Sequence, residues 1–126
     1  MESLNNYIDE NSIIACPDGC GMQPTQNAVW FLLSLAREYY TKFNKKLRVT
    51  SGARCFTHNK KVGGVANSAH TKGLAFDVHY DNSRETYAII KHLYDMGVTR
   101  IGINFNQNFV HFDIDMILPQ NVLFKY

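Results

Sequence analysis

"SAHTKGLAFDVH", residues 68–79, sets His70 and Asp77 seven positions apart with Gly73 between them and His79 just beyond. Within it and one residue past it, "LAFDVHY" (74–80) alternates in character. Successive side chains of a strand point to opposite faces, so Phe76, Val78 and Tyr80 share one face while Asp77 and His79 share the other. The period of two predicts a strand with an apolar side for a core and a polar side for chemistry. His70 lies upstream of that strand, in the loop-like run "RCFTHNKKVGGVANSAH" (54–70), where Gly63-Gly64 signals a turn.

A second stretch repeats the design. In "FVHFDID" (109–115), His111, Asp113 and Asp115 fall on one face with Phe109, and Val110, Phe112 and Ile114 fall on the other. Sheet neighbours stand about 4.8 Å apart, so pairing of the two strands brings His111 into the His70 and Asp77 region. Two imidazoles and one carboxylate, with a fourth position left for water, make a catalytic rather than a structural zinc set. The ligands would come from a loop and two strands, unlike the helical H-E-x-x-H arrangement. Spacing alone also admits a plainer reading, in which the five histidines are scattered surface and core residues.

The rest of the chain supplies a frame. From Thr25 to Phe43, the residues Ala28, Leu32, Leu35, Ala36, Tyr39 and Phe43 recur at steps of three and four, predicting an amphipathic helix that starts just after Pro24. "LRVTS" (47–51) alternates like a half-buried strand and stops at Gly52. A second helix is predicted from about Ser83 to Met96, capped by Asn82 or Ser83, with Ile89, Ile90 and Leu93 on its apolar stripe and Gly97 ending it. "RIGINF" (100–105) then pairs with 109–115 through the "NQN" turn. The closing "LPQNVLFKY" is expected to lie over the sheet as a tail. The fold class is α+β: a small antiparallel sheet against two main helices, in one domain spanning 1–126. Trp30, Phe31, Tyr39 and Tyr40 read as core and rim of the first helix, and His58 and His92 as loop or surface residues.

Composition excludes several functions. The chain has 126 residues, 45% hydrophobic, and a formal charge of +2, too small and too dispersed for electrostatic binding of nucleic acid. No apolar run approaches membrane-spanning length, and "MESLNNYIDENS" lacks the basic and apolar regions of a secretory leader. Synthesis in the cytoplasm is expected, without membrane insertion. Cys16, Cys20 and Cys55 are an odd set, which argues against a disulfide framework. "CPDGC" (16–20) could hold a metal if Cys55 and a histidine joined it. Structural zinc sites normally show a second close pair, so plain buried or turn cysteines are the expectation.

"SGARCFTHNKKVGGVANSAHTKGLAFDVH" (51–79) resembles the signature block of the zinc D-Ala-D-Ala metallopeptidases, which include D-Ala-D-Ala carboxypeptidases, phage endolysin endopeptidases and L-Ala-D-Glu peptidases. The matching positions are Ser51, Gly52, Arg54, Asn59, Gly63, Gly64, Ser68, His70, Gly73, Ala75 and Asp77. "GINFNQNFVHFDID" (102–115) is similar to the family's Gly-Ile-Gly and Phe-x-His-x-Asp strands, and "ACPDGCG" (15–21) to a Cys-rich turn before the first helix in some members. The likeness covers nearly the whole chain.

This resemblance implies one Zn2+ per chain held by His70, Asp77 and His111, and hydrolysis of an amide bond in peptidoglycan stem peptides or crosslinks. Arg54 would bind a substrate carboxylate or polarise the scissile carbonyl, or else satisfy loop carbonyls. Ser68 would touch substrate or shape the turn before His70. Many members carry Glu or Asp three residues before the last ligand, where this chain has Asn108. Asp113 and His79 are therefore the candidates for proton transfer, and each could instead orient a ligand. If Asp113 moves the proton, Asp113→Asn keeps its metal and loses turnover. Action on the wall after release by lysis, or from a virion, fits a phage endolysin. The alternative is a non-catalytic zinc-binding or phage structural module, as in the hedgehog signalling domain, which is similar in fold and metal site.

Overall fold

A computed structural model describes residues 3–126; Met1 and Glu2, which open the stretch read above for a leader, lie outside them. The order is α1 (Gln26–Phe43), β1 (Val49–Ser51), α2 (Phe56–Lys61), β2 (Ala75–His79), α3 (Ser83–Asp95), β3 (Arg100–Asn104), β4 (Phe109–Asp113) and β5 (Val122–Lys125), with 3-10 turns at Leu4–Asn6 and Ala69–Lys72.

Helix α1 starts where Thr25 turns its hydroxyl to accept the Ala28 N–H, and it ends at Asn44, whose φ of 53° no longer continues the helix. Its buried residues Ala28, Leu32, Leu35, Ala36 and Tyr39 are those of the predicted stripe except Phe43, which is half-buried at the helix end. Asn82 caps α3 by accepting the Glu85 N–H, while Glu85 reaches back to the Asp81 N–H, so two exposed donors are satisfied at one helix start. Both helices lie against Phe76, Val78, Ile101, Val110 and Phe112 in one continuous core.

The sheet runs β1-β2-β4-β3-β5. Its first four strands pair antiparallel, with Asp77 directly opposite His111 and Gly102 opposite His111 on the other side. Between Val49 and Ser51 the β1 register slips against β2, the geometry of a bulge, which bends the strand just before Gly52.

Two elements differ from the sequence-based expectation. The run 54–70 contains a short helix, α2, hidden because six residues are too few to show a 3.6-residue period. The carboxy-terminal stretch is a fifth strand rather than a tail over the sheet. It pairs parallel with β3, and so makes the sheet mixed. Val122 and Phe124 are strand formers, but the alternation of half-buried and exposed positions does not show in the letters because the exposed Leu123 is apolar too. Only Val49–Ser51 of the expected 47–51 strand joins the sheet, because Leu47 bridges instead to Ile8.

Candidate metal centre

The polar face of the central strands carries a tight cluster. Asp77 on β2 and His111 on β4 face each other, with His111 Nδ1 2.9 Å from Asp77 Oδ1. His70 arrives from the 3-10 turn, whose cap Ser68 accepts the His70 N–H, and its Nε2 lies 3.2 Å from the same Asp77 oxygen. All three residues are buried, and one donor atom from each lies within 4.8 Å of the others.

The remaining ring nitrogens are fixed from behind. His70 Nδ1 donates to the Gly52 carbonyl at 2.7 Å, and His111 Nε2 sits 2.7 Å from Asp113 Oδ2. A nitrogen that gives its proton to a partner leaves the opposite nitrogen free as a lone-pair donor, which is the tautomer a metal requires. Two imidazole nitrogens and one carboxylate oxygen therefore converge with the chemistry that zinc accepts. The residues fit the ion that the sequence implies.

Charge follows the same geometry. Burial pushes the Asp77 carboxyl up, but its close contacts with His111 and His70 outweigh it and hold the carboxyl well below the usual range. Burial opposes protonation of His111, whereas Asp113 and Asp77 favour it and push the imidazole up to about 9 in the metal-free chain.

Arg54 follows Gly52 and Ala53, with its N–H on the His70 carbonyl at 3.0 Å. Its Nη2 donates to Ser68 Oγ at 3.3 Å, while its buried Nε has no hydrogen-bond partner. Burial lowers the guanidinium pKa, and the charge of Asp77 acts the other way. Ser68 thus links Arg54 to the His70 turn. The structure brings Arg54, Ser68, His70, Asp77, His111 and Asp113 together.

His79 stands apart from the cluster. Its Nε2 lies 2.8 Å from Asp81 Oδ1, at the far end of β2. Asp113 has both oxygens engaged, Oδ2 with His111 and Oδ1 with Arg100 Nε at 2.7 Å and the Asp115 N–H at 3.1 Å. Asn108 is exposed in the β3–β4 turn at φ 58°, and its carbonyl accepts the Tyr80 N–H. Asn is among the few residues at ease in that left-handed conformation, so the turn itself accounts for its presence.

Four contributors escape sequence reading. Arg100 anchors Asp113 while its Nη1 donates to the Pro119 carbonyl. The Gly52 carbonyl orients His70, and a Cβ at Gly52 would run into the backbone of Ile14. Phe124 on β5 places its ring 5.7 Å from that of His111, in the space Gly102 leaves by having no side chain. Tyr126, largely exposed, meets the Phe109 ring edge-to-face at 5.2 Å, and the Asp77 charge keeps its phenol protonated. The aromatic pair could have been found only by recognising 122–125 as an edge strand.

The family model described as Peptidase M15 matches residues 10–113. Among curated proteins no match is found. The family match runs from the segment before α1 to the end of β4, and so takes in the whole His, Asp and Arg cluster; the chain belongs to the Peptidase M15 family, the zinc D-Ala-D-Ala metallopeptidases.

Proposed function

We propose that this metallopeptidase cuts an amide bond in peptidoglycan stem peptides or crosslinks, with His70, Asp77 and His111 holding one zinc ion. The observation that carries the reading is Arg54: a guanidinium with an unpartnered buried Nε, beside three converging metal donors. A buried donor without a partner costs roughly 1–3 kcal/mol, and a carboxylate or developing oxyanion of substrate would satisfy it. Stem peptides offer such carboxylates.

When bound, zinc supplies a Lewis acid that acidifies water and polarises a carbonyl. The protein's own groups do the rest. Arg54 binds the substrate's negative charge through its planar fork, and Ser68 holds that fork by its Nη2. Asp113 is a positioning residue: with one oxygen on His111 and the other on Arg100, it fixes the imidazole and has no oxygen left for a proton in transit. His79, tied to Asp81, is a poorer candidate for proton transfer than the sequence suggested. Tyr126 presents a neutral phenol toward the charges of Asp77 and Arg54. Phe124 and Tyr126 form an apolar wall on which a peptide can lie.

A second reading, a zinc-binding module without turnover, draws on Asn108, which offers no carboxylate in the β3–β4 turn. One experiment separates the two. Zinc-loaded protein is incubated with intact peptidoglycan and isolated muropeptides, with and without chelator, and the products are resolved by mass spectrometry. Chelator-sensitive cleavage, lowered roughly 100-fold in Arg54→Lys with metal retained, is expected. Intact muropeptides after incubation with protein carrying zinc at His70, Asp77 and His111 would overturn the hydrolytic reading in favour of the binding module.

A further inference from the structure

The three cysteines form a second cluster, away from the β2–β4 face. Cys16 and Cys20 flank the Pro17-Asp18-Gly19 turn, which Gly19 enters at φ 76° and which the Cys16 N–H closes on the Met22 carbonyl at 2.9 Å. Cys55 caps α2, its Sγ accepting the His58 N–H. The three sulphurs lie within 4.8 Å of one another, and Cys16 Sγ is 3.7 Å from Cys55 Sγ.

That spacing is one a shared metal ion accepts. A disulfide needs sulphurs about 2.05 Å apart. Two thiolates on one tetrahedral zinc, each about 2.3 Å from the ion, stand about 3.8 Å apart. The Cys16 and Cys55 pair has the second separation.

His58 supplies an independent observation. Its Nδ1 is buried without a hydrogen-bond partner, 3.4 Å from Asp18 Oδ1, and Asp18 Oδ2 in turn lies 3.9 Å from Cys55 Sγ. Two residues separate Cys55 from His58, so "CFTH" (55–58) is the second close pair that structural zinc sites show, made of one thiol and one imidazole. The amide of Cys55 already points at Cys16 Sγ, 3.5 Å away, as a donor toward thiolate charge.

We propose that Cys16, Cys20, Cys55 and His58 bind a second zinc ion, in a closed four-ligand structural site. It staples the segment before α1 to the start of α2. Between those two ends run the Ala53 N–H to Ile14 carbonyl bond, the Gly52 carbonyl that orients His70, and Arg54 itself. Cys20, exposed in its turn, is the ligand whose sulphur has least reason to sit beside the other two without an ion.

The test uses the full chain, reduced and loaded first with zinc and then with cobalt. Elemental analysis is expected to give two zinc ions per chain in the wild type, one in Cys20→Ser and one in His111→Ala. The cobalt protein is expected to show sulphur-to-cobalt charge-transfer absorption, retained in His111→Ala and lost in Cys20→Ser. These readouts do not depend on peptidase activity, so they fail separately from the function proposed above. A wild-type cobalt spectrum without thiolate charge transfer overturns the site, as does a Cys16–Cys55 disulfide in protein alkylated at lysis. An unchanged cobalt spectrum in His58→Ala overturns the four-ligand set.

Discussion

Asp113→Asn separates positioning from proton transfer. The carboxylate serves three donors: His111 Nε2 on one oxygen, and Arg100 Nε with the Asp115 N–H on the other. An amide of the same shape has only one acceptor, so either His111 or the Arg100 and Asp115 pair must face an NH2 group. In the first orientation the imidazole loses its support. Removing the partner of a metal-bound histidine typically weakens metal binding or activity by roughly 10- to 100-fold, which for affinity is about 1.4–2.7 kcal/mol. In the second orientation the largely buried Arg100 loses its carboxylate and keeps only the Pro119 carbonyl, and the fold is destabilised instead. The expected outcome is therefore weaker zinc at the His70, Asp77 and His111 site, a lower unfolding midpoint, or both. Competition with a chromogenic chelator and thermal unfolding measure the two. Wild-type zinc affinity and stability, with turnover abolished, would refute the positioning role and restore Asp113 as the group that moves the proton.

Asp77→Ala removes the one carboxylate that touches both imidazoles, and loss of one equivalent of bound zinc per chain is expected by elemental analysis; undiminished stoichiometry would remove Asp77 from the ligand set. Gly52→Ala drives a methyl into the backbone of Ile14 and shifts the carbonyl that orients His70, so a stability loss of about 1–3 kcal/mol is expected in denaturant melts, and an unchanged midpoint would contradict the close approach. Glu85→Gln tests the far side of the core, where the carboxylate accepts from Tyr39 and the Asp81 N–H and pairs with Lys45 at 2.7 Å. Burial raises its pKa, but the Lys45 and Asp81 hydrogen bonds lower it further and hold it below the ordinary value. Its stabilisation is thus present above the unfolded pKa of about 4.3 and lost as pH falls through the folded value. The wild type is expected to exceed Glu85→Gln by about 1–3 kcal/mol at neutral pH. That gap should narrow toward pH 3, and a gap independent of pH would refute the charge-based account.

The legible parts of the sequence were those whose period is enforced by burial. The α1 stripe and the alternation in 74–80 and 109–115 come directly from which side chains leave water, and that alternation puts His111 within reach of the His70 and Asp77 region once the two strands pair, as β2 and β4 do. Asp115, put on the same face by the same rule, lies past the end of β4 at Asp113 and is engaged by Lys72 at 2.7 Å. Strand β5 and helix α2 were hidden because a half-exposed edge strand and a single short helix bury too little to impose a period. Backbone groups leave no mark at all: nothing in the letter Gly52 says that its carbonyl will hold His70 Nδ1. In sequence the cysteines show no second close pair of their own kind, since Cys55 and His58 are a mixed pair and become recognisable only beside the turn at 16–20.

The central claim is that His70, Asp77 and His111 hold the zinc ion this metallopeptidase uses. Crystals of the zinc-loaded chain measured on both sides of the zinc absorption edge test it most directly. Anomalous difference density is predicted between His70 Nε2, the Asp77 carboxylate and His111 Nδ1, with Asp113 still on His111 Nε2. Zinc-loaded crystals with no peak at that position would contradict the account.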